Sequence, residues 1–407
     1  MSAPLSGIRV VDMTRILAGP WCTQLLGDLG AEVIKIEQPG KGDDTRKWGP
    51  PWLKTKEGSE TGDAAYFLAA NRNKASVTLD IKTSDGLAAL KELVAQADVF
   101  VENFKVGGLA QYGLDWASLQ PDNPGLVYLS ITGFGQTGPM AEQPGYDYLI
   151  QGLSGIMSIT GNADGNPGAG PQRVGVAVSD LTTGMYATIG ILSALYQRRD
   201  TGKGQYIDLA LLDTQVGWLA NQAMNYFVSG NVPERTGSYH PNLAPYQPFR
   251  TRDSSIIIAV GNDSQFGKLC ALIGLDSLID DARFVTNADR VKHRSELEQY
   301  IAPLIEQEAK SHWLQVLPVN GVPCSAINTI AEAFAQEQIQ HRGMEISLPH
   351  AMAGEIAGVG NPLNFSDAEV QYRSAPPVLG NDTERILNEW LGYDQNRIDE
   401  MKKSGAT

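Results

Sequence analysis

Apolar runs and helical periodicities alternate from the start of the chain. Residues 7–13 (GIRVVDM) read as a buried strand, Gly19 and Pro20 open a helical stretch to Leu29, and residues 32–37 (EVIKIE) are a second strand. The pattern then repeats, predicting a strand over 76–81, a helix capped near Ser84 or Asp85 and running to Ala97, and strands over 98–102 and 126–132. Strands joined by helices pair in parallel, so the first half is predicted to be a doubly wound α/β domain.

Residues 160–172 (TGNADGNPGAGPQ) are rich in Gly, Asn and Pro and read as an ordered loop or crossover. A long helix is predicted over 181–197, a strand over 205–212 and a helix over 213–228. The loop at 229–242 leads toward a smaller domain that mixes a strand (255–260) with helices near 265–273 and 296–307. The expected division is a large domain from 1–225 and 330–407, with a small domain from 226–329. The length of 407 residues suits two to three domains.

Charge narrows the partners. With 32 Lys and Arg against 46 Asp and Glu, the formal charge of −14 repels nucleic acid backbones and anionic lipid, so neither nucleic acid nor membrane is an expected partner. A small anion in a local basic pocket is compatible with this balance. The three cysteines, Cys22, Cys270 and Cys324, lie far apart and form no C-x-x-C, which suggests neither a disulfide framework nor zinc, and a reducing cytoplasm is expected. No apolar run approaches the roughly 18 to 20 residues that span a bilayer.

Residues 133–138 (GFGQTG) form a literal G-x-G-x-x-G after a strand. They follow a late strand, and Pro139 and Pro144 interrupt the region where a phosphate-binding helix should run, so a close-approach glycine loop is the better reading. All five histidines lie at position 240 or beyond. Chemistry centred in the first half therefore rests on carboxylate, Lys, Tyr or backbone groups. Basic residues gather there, at Lys35, Lys41, Arg46, Lys47, Arg72, Lys74, Lys82 and Lys105, beside the flat rings of Trp48 and Trp52. They mark either a local anion site or an ordinary solvated surface. Asp180, between VGVAVS and LTTG, reads by itself as an N-cap carboxylate. An aspartate at a helix start among small apolar neighbours also has the makings of a nucleophile, because poor solvation leaves its oxygen reactive while the helix dipole stabilises its charge.

Many blocks, taken in order, resemble the family III (CaiB/BaiF) CoA-transferases: LSGIRVVD at 5–12, LAGP at 17–20, GDLGAEVIKIE at 27–37, GDDTR at 42–46, NRNK at 71–74, VENF at 101–104, GFGQTGP at 133–139, GYD at 145–147, the block ending at Asp180, TGKGQ at 201–205 and PPVLG at 376–380. The resemblance covers nearly the whole chain. It implies a Rossmann-like large domain with a parallel sheet that includes the C-terminal segment, a smaller α+β domain, and an interlocked homodimer. It also implies a coenzyme A thioester as substrate, with no tightly bound cofactor and no metal. The implied nucleophile is Asp180. The implied CoA contacts are Leu17, Ala18, Gln38, Leu79, Lys82, Asn103, Phe104, Lys105 and Tyr146, to which the basic cluster adds Arg46 and Lys74. Leu17 and Gln38 stand where other members carry Gln and Arg.

The chemistry implied is attack of Asp180 on an acyl-CoA to give a mixed anhydride and free thiolate, formation of an aspartyl-CoA thioester, and reversal onto an acceptor carboxylate. Backbone N–H groups of the glycine loop, at Gly135, are expected to stabilise the oxyanions. Blocks at 42–51, 71–74 and 245–249 most resemble the subgroup that moves CoA from succinyl-CoA to dicarboxylates such as glutarate, and Arg15, Arg173, Tyr239 and His240 are the candidates to hold the acceptor's far carboxylate. The alternatives are an α-methylacyl-CoA racemase and a non-catalytic CoA-binding protein. Racemases of the family use the histidine of a Gly-His-Asp block, and here Tyr146 takes that place, with a phenol whose unperturbed pKa near 10 makes it a poor neutral-pH base.

Overall fold

The computed structural model describes residues 3–407 and divides them into two compact units, one formed by 3–156, 174–221 and 337–407, the other by 157–173 and 222–336. The segment 157–173 contains no strand or helix after Ile159 beyond an isolated bridge between Asn162 and Ala169, and it clusters with the smaller unit.

The larger unit is built on six parallel strands: β1 (Arg9–Met13), β2 (Glu32–Glu37), β3 (Lys74–Thr78), β4 (Val99–Glu102), β5 (Val127–Thr132) and β6 (Tyr206–Ala210). Their order across the sheet is β3-β2-β1-β4-β5-β6, the doubly wound order, with Val10 opposite Val33 on one side and Val99 on the other. Alternate residues feed two cores. Val11, Phe100 and Leu90 pack with Ile386 and Trp390 on one face, whereas Val10, Val99 and Leu26 pack with Ala187 and Ile191 on the other. Helices α1 (Ala18–Asp28) and α4 (Val178–Thr201) cover the second face; α2 (Ser84–Ala95), α6 (Thr383–Leu391) and α7 (Gln395–Lys403) cover the first. Between them in sequence lie α3 (Asp147–Leu153) and α5 (Leu211–Gly217). Burial on both faces is why the strands read as near-continuous apolar runs.

The C-terminal segment also closes the edge of the sheet beside β3, where Asp382 donates its N–H to Ser76 O at 3.0 Å and Asn73 donates to Ser374 O at 3.0 Å. Among the predicted elements, three depart from the observed ones for reasons visible in the structure. β3 ends at Thr78 rather than 81, because Leu79 and Asp80 give their N–H groups to Glu37 and Ala406 as the chain turns. The helix predicted over 213–228 is two helices, broken beside Ala220, whose φ is +41°. The helix predicted over 181–197 is longer at both ends and stops at Gly202, in the left-handed region at φ +68°, whose N–H reaches Arg198 O.

The smaller unit holds an antiparallel sheet ordered β9-β8-β7, from β7 (Tyr246–Arg250), β8 (Ser255–Ala259) and β9 (Cys324–Ala326). Its own core centres on Phe249, Ile256, Phe266, Trp313 and Leu317. Among the described residues no helix is long and apolar enough to cross a membrane.

Candidate active site

The order of the large sheet creates the site. After β1 the chain moves to one side of the sheet and after β4 to the other, so the loops leaving these neighbouring strands splay apart and open a crevice at their carboxyl ends. Arg15, Leu17 and Ala18 follow β1, Asn103, Phe104 and Lys105 follow β4, and the 133–147 loop follows β5. With Asp180 they enclose a cavity of about 510 Å³ that Tyr146 also lines.

Asp180 is the third residue of α4, three places beyond the capping position, where Ala177 stands without a side-chain bond. The first-turn donor is satisfied from elsewhere: Ser179 gives its N–H to Asp147 Oδ1 at 2.8 Å, and Gln151 Nε2 donates to the other Asp147 oxygen at 2.8 Å. The Ser179 hydroxyl donates to Gln215 Oε1 at 2.7 Å. Asp180 itself is 8% exposed, and among the described residues none forms a hydrogen bond or ion pair with its carboxylate. Burial, and then the nearby Asp147 carboxylate, push its pKa up to about 7. The result is a carboxylate that ionises near neutrality yet is poorly solvated, which suits a nucleophile better than a cap.

Tyr66 is a neighbour that sequence reasoning missed. Its phenol is pushed up to about 12 by burial and then by Asp180 and Asp147, and its ring meets Trp48 edge-on at 5.2 Å. It sits in the run AAYFLAA, whose composition reads as plain core.

A second cavity, of about 310 Å³, shares Arg15, Asp44, Phe104 and Lys105 with the first. Gln38, Leu79 and Lys82 line it together with Lys41, so three exposed lysines, 41, 82 and 105, face one space beside the apolar surfaces of Ile81 and Tyr112. Arg15 forms an ion pair with Asp44 at 2.9 Å on the shared wall. Its backbone is clamped by Asn103, which accepts the Arg15 N–H at 2.9 Å and donates to the Arg15 carbonyl at 2.8 Å. The next residue, Ile16, is held at φ +74°, a conformation a β-branched residue adopts only when its surroundings impose it.

Two residues expected at the anion site are instead committed inside the fold. Arg46 pairs with Glu37 and Asp63, each at 2.8 Å, and lies 3.7 Å over the Phe67 ring. Lys74 reaches Asp12 at 3.1 Å, Asn71 at 2.9 Å and the Pro20 carbonyl at 2.9 Å. Burial would by itself raise Asp12, but Lys74, Lys35, Thr14 and Thr23 together hold it down at about 2. Lys35 and Arg72 are likewise paired internally, with Asp43 at 2.8 Å and Asp28 at 2.6 Å. Four of the eight cations counted in the sequence are thus committed to internal pairs. Gly135, the expected oxyanion donor, gives its N–H to Thr132 Oγ1 at 2.9 Å. Arg173, Tyr239 and His240 belong to the smaller unit, where the Tyr239 hydroxyl donates to Glu298 at 2.9 Å and His240 packs 5.0 Å from the Tyr246 ring. The segment after β5 is no dinucleotide motif: no helix follows until Asp147, and Gly133 and Gly145 approach so closely that a Cβ on Gly133 would lie 2.5 Å from the Gly145 Cα.

Residues 5–383 match CoA-transferase family III. The chain is 48% identical over 386 residues to a succinate–glutarate CoA-transferase of Agrobacterium fabrum, covering 95% of each, and 42% identical over 403 residues to the human succinyl-CoA:glutarate CoA-transferase, covering 99% of this chain and 90% of the relative. A solved CaiB/BaiF family protein from Brucella suis superposes with a TM-score of 0.84 at 48% identity, over 96% of this chain and all of that one. With a doubly wound sheet and a crevice walled by the 17–18, 103–105 and 145–147 blocks, the chain belongs to the family III CoA-transferases.

Proposed function

We propose that this enzyme transfers CoA from succinyl-CoA to a dicarboxylate, with glutarate the foremost acceptor, through covalent intermediates on Asp180. The observation that carries the reading is the placement of a buried carboxylate without a cationic partner, Asp180, on the wall of a cavity that adjoins a second one fringed by lysines. The lysine-fringed cavity suits the phosphates of CoA, with its apolar surfaces available to the adenine, and the first suits the thioester end.

In the reaction, ionised Asp180 attacks the thioester carbonyl, forming a mixed anhydride and releasing CoA thiolate. The thiolate attacks the aspartyl carbonyl, forming an aspartyl-CoA thioester and releasing succinate. The acceptor carboxylate then attacks that thioester, and the thiolate returns to the acceptor's acyl carbon, regenerating Asp180. Each step needs an anion to approach a carboxyl derivative in a dry site, so a poorly solvated Asp180 is favoured over a hydrated one. Succinyl-CoA and glutarate are supported by the names of the relatives at 42–48% identity, against an acetyl-CoA:oxalate enzyme of Acetobacter aceti at 40%. We further propose that the enzyme works as a homodimer in the cytoplasm. Support for the homodimer comes from the apolar side chains that α4 leaves exposed, and support for the reducing compartment from three cysteines that are all free thiols.

Incubation with succinyl-CoA and a panel of acids, with CoA esters read by mass, tests the reading. Glutaryl-CoA should predominate, no deuterium should enter the α-carbon from heavy water, and Asp180→Ala should abolish exchange while CoA still binds. Near-normal turnover by that variant would remove the nucleophile assignment, and α-deuteration without an acceptor would turn the reading to racemisation.

A further inference from the structure

One buried carboxylate beside the cavity has no part in the chemistry above. Glu102 ends β4, immediately before the Asn103–Lys105 segment that lines both cavities, and is 6% exposed. Among the described residues it forms no ion pair, which is uncommon for a carboxylate so placed, since burying an unpaired charge is costly. Its Oε2 accepts the Phe104 N–H at 2.7 Å. Ser130, on β5, is its register partner across the sheet, and Tyr128, two residues earlier, gives its hydroxyl proton to the Leu114 carbonyl at 3.1 Å. Ser130 Oγ in turn accepts from Gln136 Nε2 at 2.9 Å, and the Gln136 N–H donates to Asp208 Oδ2 at 3.0 Å. The loop after β5 is thus tied to Ser130, beside Glu102, while Glu102 itself holds the loop after β4 through the Phe104 amide.

We propose that Glu102 is a positioning residue for acyl-CoA binding, whose ionised carboxylate draws the Phe104 amide, and with it the Asn103–Lys105 segment, into the geometry that walls both cavities. This rests on the reading of that cavity as the CoA-thioester site. The Phe104 amide can only donate, which favours the anion; protonation of Glu102 weakens its hold on that amide, because a hydrogen bond to a charged acceptor is roughly twice as strong as one to a neutral acceptor.

Burial, opposed by the Ser130, Phe104 and Tyr128 donors, pushes the Glu102 pKa up to about 7, so the switch between these states falls within the working range. The other titratable groups around it are Tyr128 and Tyr206, with Asp115 acting on the first and Asp208 on the second; Lys105, on its own loop, is exposed. Both tyrosines are raised, chiefly by burial, so they stay neutral through this range.

The test is the dissociation constant of succinyl-CoA, by calorimetry, for the Asp180→Asn chain with and without Glu102→Gln, at pH 6 and pH 8.5. Asp180→Asn removes the nucleophile's own titration, and taking the ratio of the two constants cancels that of the ligand phosphate. The ratio should be near one at pH 6, where Glu102 is already neutral, and about five- to tenfold at pH 8.5. A ratio that does not change with pH, whether at one or at a uniform loss, overturns the proposal. Failure of the Asp180→Asn chain to bind succinyl-CoA at all would overturn the proposed function instead. Without any change at position 102, hydrogen exchange in the Asn103–Lys105 amides, corrected for the intrinsic rate, should lose protection as pH falls through 7. Unchanged protection also overturns it.

Discussion

Asp180 shows how one residue's reactivity is set against the stability of the fold. Its pKa is raised from 3.8 to about 7, so the folded chain holds the proton more tightly than the unfolded chain does. The stabilisation from that proton is complete below the unfolded value near 3.8 and is lost as pH rises through 7. Asp180→Asn is therefore expected to leave unfolding free energy almost unchanged at pH 4 and to raise it at pH 8 by a few kcal/mol, with ~4 kcal/mol as the ceiling, in denaturant titrations at both values. Transfer by the unsubstituted enzyme should rise through pH 7 to a plateau, since only the ionised carboxylate attacks. The place of Asp180 on the cavity wall was legible in the sequence through its block, although the capping role read from position alone belongs to no side chain there: Asp147 serves the first turn from outside the helix. Arg46 and Lys74 were not legible as internal residues. A sequence counts cations, and whether a cation meets a phosphate or a carboxylate depends on Glu37, Asp63 and Asp12 lying close in space, at sequence separations of 9, 17 and 62 residues.

At the scale of elements, strands buried on both faces announce themselves as apolar runs, and all six strands of the large sheet lie within or across the segments read from the pattern. Their ends were less legible, because contacts distant in sequence decide them: β3 stops where Glu37 and Ala406 claim the next two amides. The loop after β5 rests on a contact of the same kind. Gly133 and Gly145 touch backbone to backbone, bringing the chain back to place Tyr146 on the cavity wall and Asp147 at the start of α4. A methyl group at Gly133 cannot be accommodated without displacing that return. Gly133→Ala is expected to lower kcat/KM by two orders of magnitude or more while costing only about 1–3 kcal/mol of stability; circular dichroism and denaturant titration of the variant, beside its kinetics, check both parts. A variant with normal kinetics would mean that the loop's path does not depend on this contact.

For the whole molecule, a substantial part of the exposed apolar surface lies on α3 and α4. Along α4, Met185, Tyr186, Ile189 and Tyr196 are 44–70% exposed, and Tyr148, Leu149 and Leu153 on α3 are 52–60% exposed. Surface of this kind is ordinarily covered in an assembly, so sedimentation at micromolar concentration should return twice the chain mass of 43.9 kDa, and Ile189→Lys should shift the population toward monomer. A wild-type monomer would contradict the homodimer. The central claim, that one carboxylate carries the acyl group and then the CoA, has a more direct test. The enzyme is mixed with succinyl-CoA in the absence of acceptor, quenched with hydroxylamine within the first turnovers, and its peptides are mapped by mass. Conversion of the side chain at position 180, and of no other carboxylate, to the hydroxamate is expected. An unmodified Asp180 in enzyme that still forms glutaryl-CoA once glutarate is added would contradict it.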